Sequence, residues 1–208
     1  MATTATIAKT SGVLLALQEV TAAPRVVISS GFQIGAGLAA SIFVRISRTS
    51  AAAFTSGVII RYEISPLVNS NGYWSPLAYY MTDTVAPEAE AISGNTASAG
   101  ATIINVVSTT NLIAGNIIFI KNSGTFSASE FARISNISAN NYIQLEEALV
   151  NSQPSGNLLW NKAEIPAPCY IPGDWGISQA RIVVDGSNAG VNYAVEAFYT
   201  IGQAITTT

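Results

Sequence analysis

The central stretch of the chain, residues 99–149, narrows the possible folds more than any other part of the sequence. Three short apolar runs rich in β-branched residues occupy positions 102–107, 116–120 and 142–145, and a more mixed run occupies 130–134. Clusters of Asn, Gly and Ser separate these runs. Short β-branched runs bounded by turn-forming residues are typical of strands in a compact all-β unit. The stretch therefore predicts a small β-domain.

The segments on either side alternate apolar and polar residues with a period of two. The early segments are residues 41–47 and 58–64, and the late segments are 180–185 and 193–201. Half-buried antiparallel strands alternate in this way, because successive side chains point to opposite faces. The early and late pairs match in length, so we expect them to share one antiparallel Ig-like β-sandwich. Residues 186–190 between the late strands are predicted to form a hairpin loop.

Polar connections separate the central stretch from these flanking strands. One covers residues 87–96 and the other 151–157, and both are rich in small polar residues and proline. Connections of this composition are typical of domain boundaries, which indicates that the central unit is inserted into a larger domain. The predicted division is an N-terminal arm at 1–30, a first sandwich half at 31–91, an inserted small β-barrel or hairpin domain at 92–160, and a second sandwich half with the tail at 161–208.

The first thirty residues lack a helical stripe and are expected to form an extended arm. Its apolar residues are the candidate contacts with a partner: Val13, Leu14, Leu15, Leu17, Val26, Val27 and Ile28. The apolar run 12–17 is too short for a signal peptide, and Glu19 interrupts the approach to a cleavage site. No apolar run is long enough to span a membrane as a helix, so no membrane partner is expected.

Charge is scarce in this chain. Charged residues make up 10% of the 208 residues, against about 25% in typical globular proteins. Such an exterior favours association, which indicates a protein that works in an assembly, although β-rich extracellular proteins can share this composition. The nine Lys and Arg are scattered singly and the net charge is −3. Nucleic-acid binding requires a basic patch, so no nucleic-acid partner is expected.

The residues that usually carry catalysis are missing or isolated. The chain has no histidine, and Cys169 is its only cysteine. Cys169 lies among prolines and apolar residues, where we expect a buried, unreactive thiol. Glu146 and Glu147 are adjacent on a strand and would point to opposite faces. The carboxylates of residues 83, 88 and 90 match no calcium-loop spacing. We therefore expect no catalytic residue, no cofactor and no metal.

Aromatic residues offer one alternative kind of site. Tyr73, Trp74 and Trp175 could form an exposed aromatic surface on which a sugar ring stacks. Aromatic residues that alternate in strands more often belong to a core or an interface. The glycan interpretation therefore stays open as the second choice.

Several of these segments resemble known virion modules. Residues 99–107, 114–120, 129–134 and 140–146 give a strand, an Ala-Gly turn, a strand, a charged connection and a final strand ending in Leu and acidic residues. This pattern is similar to modules common in virion proteins of tailed bacteriophages. Arg181-Ile-Val-Val-Asp185 and Ala194-Val-Glu-Ala197 resemble the sandwich halves of phage head decoration (capsid cement) proteins.

The resemblance implies a non-enzymatic structural protein on the capsid exterior, made in the host cytoplasm. Its partner would be the major capsid protein, and it would stabilise the shell by bridging neighbouring capsid subunits. A homo-oligomer, either a dimer or a trimer, is expected from the preference for closed symmetry. The arm would pair with a strand of a neighbour. The alternative is a phage tail, baseplate or receptor-binding module that recognises a host surface glycan. The resemblance assigns no role to a single residue.

Overall fold

The computed structural model describes residues 5–35, 39–67, 73–139, 141–173 and 176–206. Within these ranges the protein is all-β with antiparallel sheets, as predicted, and includes the short 3-10 helix Phe126–Ala128. The strands are β1 Ala5–Val20, β2 Val26–Ile28, β3 Phe32–Gln33, β4 Ala39–Arg48, β5 Ile59–Ser65, β6 Ser75–Met81, β7 Ala89–Ala91, β8 Ile103–Asn105, β9 Ile117–Lys121, β10 Glu130–Ser138, β11 Tyr142–Leu145, β12 Leu158–Trp160, β13 Cys169–Pro172, β14 Gln179–Asp185 and β15 Tyr193–Thr206.

Sheet one contains four strands in the order β1-β15-β4-β13. The predicted alternation on β4 is confirmed, since Ile42, Val44 and Ile46 are each at most 1% exposed. On β15, Val195 lies opposite Ile46, so the late strand pairs directly with the early one. Burial of these β-branched side chains on one face is what fixes the register, because a slip by one residue would expose them all.

Sheet two contains β2, β14, β5 and β6 in that order, with β3 also paired to β14. Its inward residues, including Ile60, Ile182 and Val184, join those of sheet one in a single hydrophobic cluster. The late strands therefore do pack with the early ones, but β14 lies in sheet two and β15 in sheet one. The hairpin predicted at residues 186–190 is wrong. That segment is a corner at which the chain crosses from one sheet to the other.

Sheet three contains six strands in the order β7-β12-β9-β10-β11-β8. It includes the four runs that the sequence predicted as strands, now β8, β9, β10 and β11. The sheet curls until its edges meet, because Ser93 N–H donates to the carbonyl of Asn105 and Val107 N–H donates to that of Ala91, both at 2.9 Å. Its interior is a separate cluster of buried aliphatic residues that includes Ile104, Ile118, Ile120, Ile134, Ile143 and Leu159.

A third hydrophobic cluster joins sheet three to sheet one. Phe119, Phe131 and Trp160 point out of sheet three and pack against Ala194 of β15 and Leu17 of β1. Bulky aromatic rings on an outer face are stable when they are covered, so this contact anchors the two parts to each other.

The N-terminal segment is extended, but it is built into the sheets. β1 pairs with β15 from Ala5, opposite Thr206, to Val20, opposite Tyr193. β2 pairs with β14. Leu14, Leu15 and Val20 belong to the core shared by sheets one and two. The expectation of a free-standing arm is corrected accordingly.

In the part of the chain that the structure describes, no helix has the length and apolar character needed to cross a membrane.

Candidate functional site

The seven apolar residues proposed as an interface do not form one surface. Leu14 and Leu15 are buried in the core at 6% and 9% exposure, so they cannot contact a partner. Val13 is 60% exposed on β1 of sheet one, whereas Ile28 is 55% exposed on β2 of sheet two. The remaining three are half-buried: Leu17, Val26 and Val27. Strand alternation separates Val13 from Leu14, since neighbouring residues on a regular strand face opposite sides. Leu14 and Leu15 are both buried because the pairing register of β1 shifts at this point.

The proposed aromatic surface is largely occupied by the protein itself. The Tyr73 side chain is 66% exposed. The Trp74 ring is only partly accessible, because the Arg181 guanidinium lies 4.1 Å from its centroid. Trp175 lies outside the described residues. One exposed ring is therefore what the described chain offers to a sugar at this position.

The residues considered for chemistry do not form a catalytic or metal-binding group. The expectation that Glu146 and Glu147 lie on a strand and face opposite sides is wrong, because β11 ends at Leu145 and both side chains line the same groove. Cys169 is buried at 8% exposure, and burial raises the pKa of its thiol to about 11. Glu146 lies 3.4 Å from the Arg133 guanidinium, whereas Glu147 is exposed and has no ion-pair partner within the described chain. The described residues contain no group of three or more His, Cys, Asp or Glu side chains placed to hold a metal ion.

A buried polar cluster that the sequence did not reveal lies where the chain enters and leaves sheet three. The Arg48 side chain is 1% exposed and donates from Nη2 to the carboxylate of Asp83 at 2.8 Å and to the backbone carbonyl of the same residue. The Phe54 ring covers the guanidinium at 4.2 Å. The Tyr80 hydroxyl donates to the carboxylate of Glu164 at 2.5 Å. Asp83 N–H also donates to Glu164 at 3.3 Å.

Burial of the charged groups in this cluster costs desolvation free energy. The Nε and Nη1 atoms of Arg48 are buried without a hydrogen-bond partner, so the ring of Phe54 and the charge of Asp83 have to offset their desolvation. Burial is the main cause that raises the pKa of Glu164, the negative charge of Asp83 adds to it, and the Tyr80 hydrogen bond opposes it. The cluster ties both connections, the one that enters sheet three at Asp83 and the one that leaves it at Glu164, to sheets one and two.

A groove of about 430 Å³ separates sheet one from sheet three. Sheet one contributes Leu17, Arg45 and Glu196 to its wall, and Arg45 Nε lies 2.7 Å from the Glu196 carboxylate. The guanidinium of Arg45 also lies 5.6 Å from the centroid of the Phe131 ring, which belongs to the opposite wall. Burial raises the pKa of Glu196, and the Arg45 charge opposes this shift.

The opposite wall of the groove is formed by β10 and by the segment that follows β11. The carboxylate of Glu130 accepts the N–H of Val150 at 2.9 Å and the N–H of Asn151 at 3.1 Å. These bonds hold residues 146–151 along the groove. Glu146 and Glu147 lie on this segment and line the groove as well. The groove thus combines apolar walls with four carboxylates and two guanidinium groups: Glu130, Glu146, Glu147, Glu196, Arg45 and Arg133.

No protein-family model matches this chain, and no curated protein matches it significantly.

Sequence reasoning missed the buried polar cluster and the groove because the residues that form them are far apart in the chain. Arg48 contacts Asp83, and Tyr80 contacts Glu164, across separations of 35 and 84 positions. The alternation of residues in β4 correctly placed Arg45 on the outer face of the strand, and this was the only feature of the sequence that pointed to the groove. The alternation could not show that sheet three covers this outer face.

Proposed function

We propose that this chain is a non-enzymatic virion structural protein of the head decoration type, which binds the outer surface of a phage capsid and bridges neighbouring major capsid proteins. The observation that carries the proposal is the character of the surface. Large apolar side chains are exposed on all three sheets, in a chain with few charges to keep copies apart: Val13, Tyr79, Met81, Ile103, Leu158 and Tyr170. Burial of such surface against a shell would oppose its expansion.

The finer architecture belongs to this proposal. We assign sheets one and two to an Ig-like β-sandwich and sheet three to a small β-barrel inserted between its halves. Two separate hydrophobic clusters support the division. The boundary proposed at residues 92–160 fits the end of β12 at Trp160, and β7, which starts at Ala89, precedes it by one short strand. The barrel would project from the sandwich and present the groove at its base.

The N-terminal strand would contribute to assembly through its edge. β1 is the terminal strand of sheet one, so one of its edges has no strand partner among the described residues. Its exposed Val13 lies on this strand. An open edge can accept a strand from a neighbour, which suits a closed dimer or trimer or a contact with the major capsid protein.

Co-sedimentation tests the capsid-binding function. Empty heads assembled from the major capsid protein of the same genome would be mixed with the purified chain and pelleted. We expect saturable binding at a fixed ratio to the capsid protein, and greater resistance of loaded heads to heat. Failure of the chain to pellet with heads, under conditions in which it is folded and in excess, would refute the proposal.

Deletion of residues 1–30 is not a suitable test of the edge, because it would remove core residues such as Leu14. Val13→Lys is suitable, since the side chain is exposed and a charge on an edge strand opposes pairing. We expect the variant to associate more weakly with its copies or with heads, and its melting temperature to stay unchanged. Ser11→Lys, at another exposed position of the same strand, reports how far along the edge this effect extends.

The runner-up function is a tail, baseplate or receptor-binding module that recognises a host surface glycan. Its support in the described chain is the exposed Tyr73 ring. A glycan array separates the two functions. Saturable binding of one sugar, abolished by Tyr73→Ala, together with no binding to heads, would favour the glycan module.

A further inference from the structure

The geometry points to the groove between sheets one and three as the docking site for an extended, cationic segment of the protein's partner. This inference rests on the proposed function to the extent that the partner is the major capsid protein. The inference adds the place on the chain where that partner binds and the kind of side chain that the groove recognises.

The charges of the groove are not balanced. Glu196 is paired with Arg45, and Glu146 with Arg133. Glu130 and Glu147 have no cation within ion-pair distance among the described residues, although both line the same groove. Both carboxylates therefore lack a counter-charge, but Glu130 already accepts hydrogen bonds from Val150, Asn151 and Gln153. Glu147, which is exposed, is the carboxylate that is open to a partner. A Lys or Arg side chain of a partner would supply the counter-charge.

The walls suit the rest of such a side chain. Val150 is 78% exposed and Ile165 is 41% exposed, and both border the groove. Leu17 lies in the opposite wall. Lys and Arg commonly lay their aliphatic stems along apolar surface while the charged head meets a carboxylate. The combination of apolar walls and uncompensated carboxylates thus favours a cationic peptide over an anionic or purely apolar ligand.

The hydrogen bonds of the 146–151 segment favour an extended occupant. Glu130 holds the backbone N–H groups of Val150 and Asn151, so the segment that carries Glu147 is held in place along the groove. A preorganised wall costs little ordering on binding. An extended segment with alternating cationic and apolar residues can place its cations toward Glu130 and Glu147 and its apolar side chains on the walls.

Binding of a defined peptide tests the groove without capsids. The probe is an acetylated and amidated Lys-Val-Lys-Val-Lys peptide, with its Glu-Val-Glu-Val-Glu counterpart as a control. We expect saturable backbone-amide shifts in NMR spectra of the full chain, centred on residues 146–151, with the cationic peptide alone. Absence of saturable shifts there, or equal shifts with both peptides, overturns the inference.

Charge variants provide the matched comparison. Glu147→Lys and Glu88→Lys change the charge of the chain equally at exposed positions, and Glu88 lies outside the groove. We expect the dissociation constant of the cationic peptide to rise about tenfold or more in E147K and to stay unchanged in E88K, since a like charge at the contact repels the ligand. Equal weakening in both variants would assign the effect to net charge and overturn the site.

The head-binding assay separates this inference from the proposed function. Wild-type binding to heads that E147K loses and E88K keeps supports both. Equal binding of all three chains to heads keeps the proposed function and refutes the groove as its capsid contact. Failure of wild type to bind heads refutes the proposed function, and peptide binding at residues 146–151 then still supports the groove as a site for a cationic segment.

Discussion

Asp83→Asn is a direct test of the buried cluster at the entrance to sheet three. The change keeps the size of the side chain and its acceptor oxygen, but it removes the negative charge 2.8 Å from Arg48 Nη2. The Arg48 side chain is 1% exposed, and no other carboxylate lies within ion-pair distance of it in the described chain. The variant therefore leaves a buried cation with a neutral partner.

The cost can be bracketed from the burial of the two side chains. Removing one partner of a fully buried ion pair costs about 3–5 kcal/mol, and an exposed pair contributes about 0.2–1 kcal/mol. Asp83 is 47% exposed, so water screens its side of the pair. We expect a loss of about 2 kcal/mol in the free energy of unfolding. For a chain of this size this corresponds to a fall of about 4–8 °C in the melting temperature.

Urea denaturation followed by tryptophan fluorescence measures this loss. Glu146→Gln is the matched control, because it removes a carboxylate 3.4 Å from Arg133 in a pair whose side chains are 44% and 50% exposed. We expect a loss of at most about 1 kcal/mol there. If D83N proves no more destabilising than E146Q, the buried pair does not hold the connections of sheet three as inferred.

Three further outcomes concern single residues. The raised pKa of Glu164 means that its contribution to stability is full below its ordinary pKa and is lost as pH rises through the higher folded-state pKa. Glu164→Gln should therefore lessen the fall in unfolding free energy as the pH rises above the ordinary carboxyl pKa of 4.5 in urea titrations. Gly57→Ala should cost about 1–3 kcal/mol in the same assay, because the new Cβ would overlap the carbonyl oxygen of Thr82. Cys169, with a thiol pKa of about 11, should not react with an aromatic disulfide reagent at about pH 8 until urea is added, and rapid native reaction would contradict its burial.

Local pattern was sufficient to predict most strands, because each strand buries one face. Ile42, Val44 and Ile46 share one face of the predicted strand, and all three lie in the core of the structure. β11 occupies the run predicted for it, Tyr142–Leu145. The sequence could not reveal which strands pair. The connection at residues 186–190 looks the same whether the chain turns back in one sheet or crosses to another, since both turns need glycine and polar residues.

The N-terminal segment illustrates the same limit. Residues 13–15 read as Val-Leu-Leu, and such a run fits a strand that is buried on both faces as well as an arm that awaits a partner. The structure resolves this through β15, whose length allows it to pair with β1 on one side and β4 on the other. The long-range partner, and not the segment's own composition, determines that Leu14 and Leu15 are core residues.

The distribution of ion pairs connects the fold with the proposed function. Lys121–Glu19 joins sheet three to sheet one, and Arg48–Asp83 joins sheet one to the connection that enters sheet three. Arg45–Glu196 lies within sheet one and Arg133–Glu146 within the sheet-three part, and both pairs line the groove between the two sheets. A chain with 10% charged residues thus places four of its ion pairs at or beside one internal junction, and much of its outer surface stays neutral and partly apolar. Neutral apolar surface can supply binding energy without strong orientation, whereas unpaired charges supply orientation and discrimination between partners. Because Glu130 and Glu147 have no cationic partner at that same junction, and Glu147 is exposed, the groove is where a partner's register on this protein would be set.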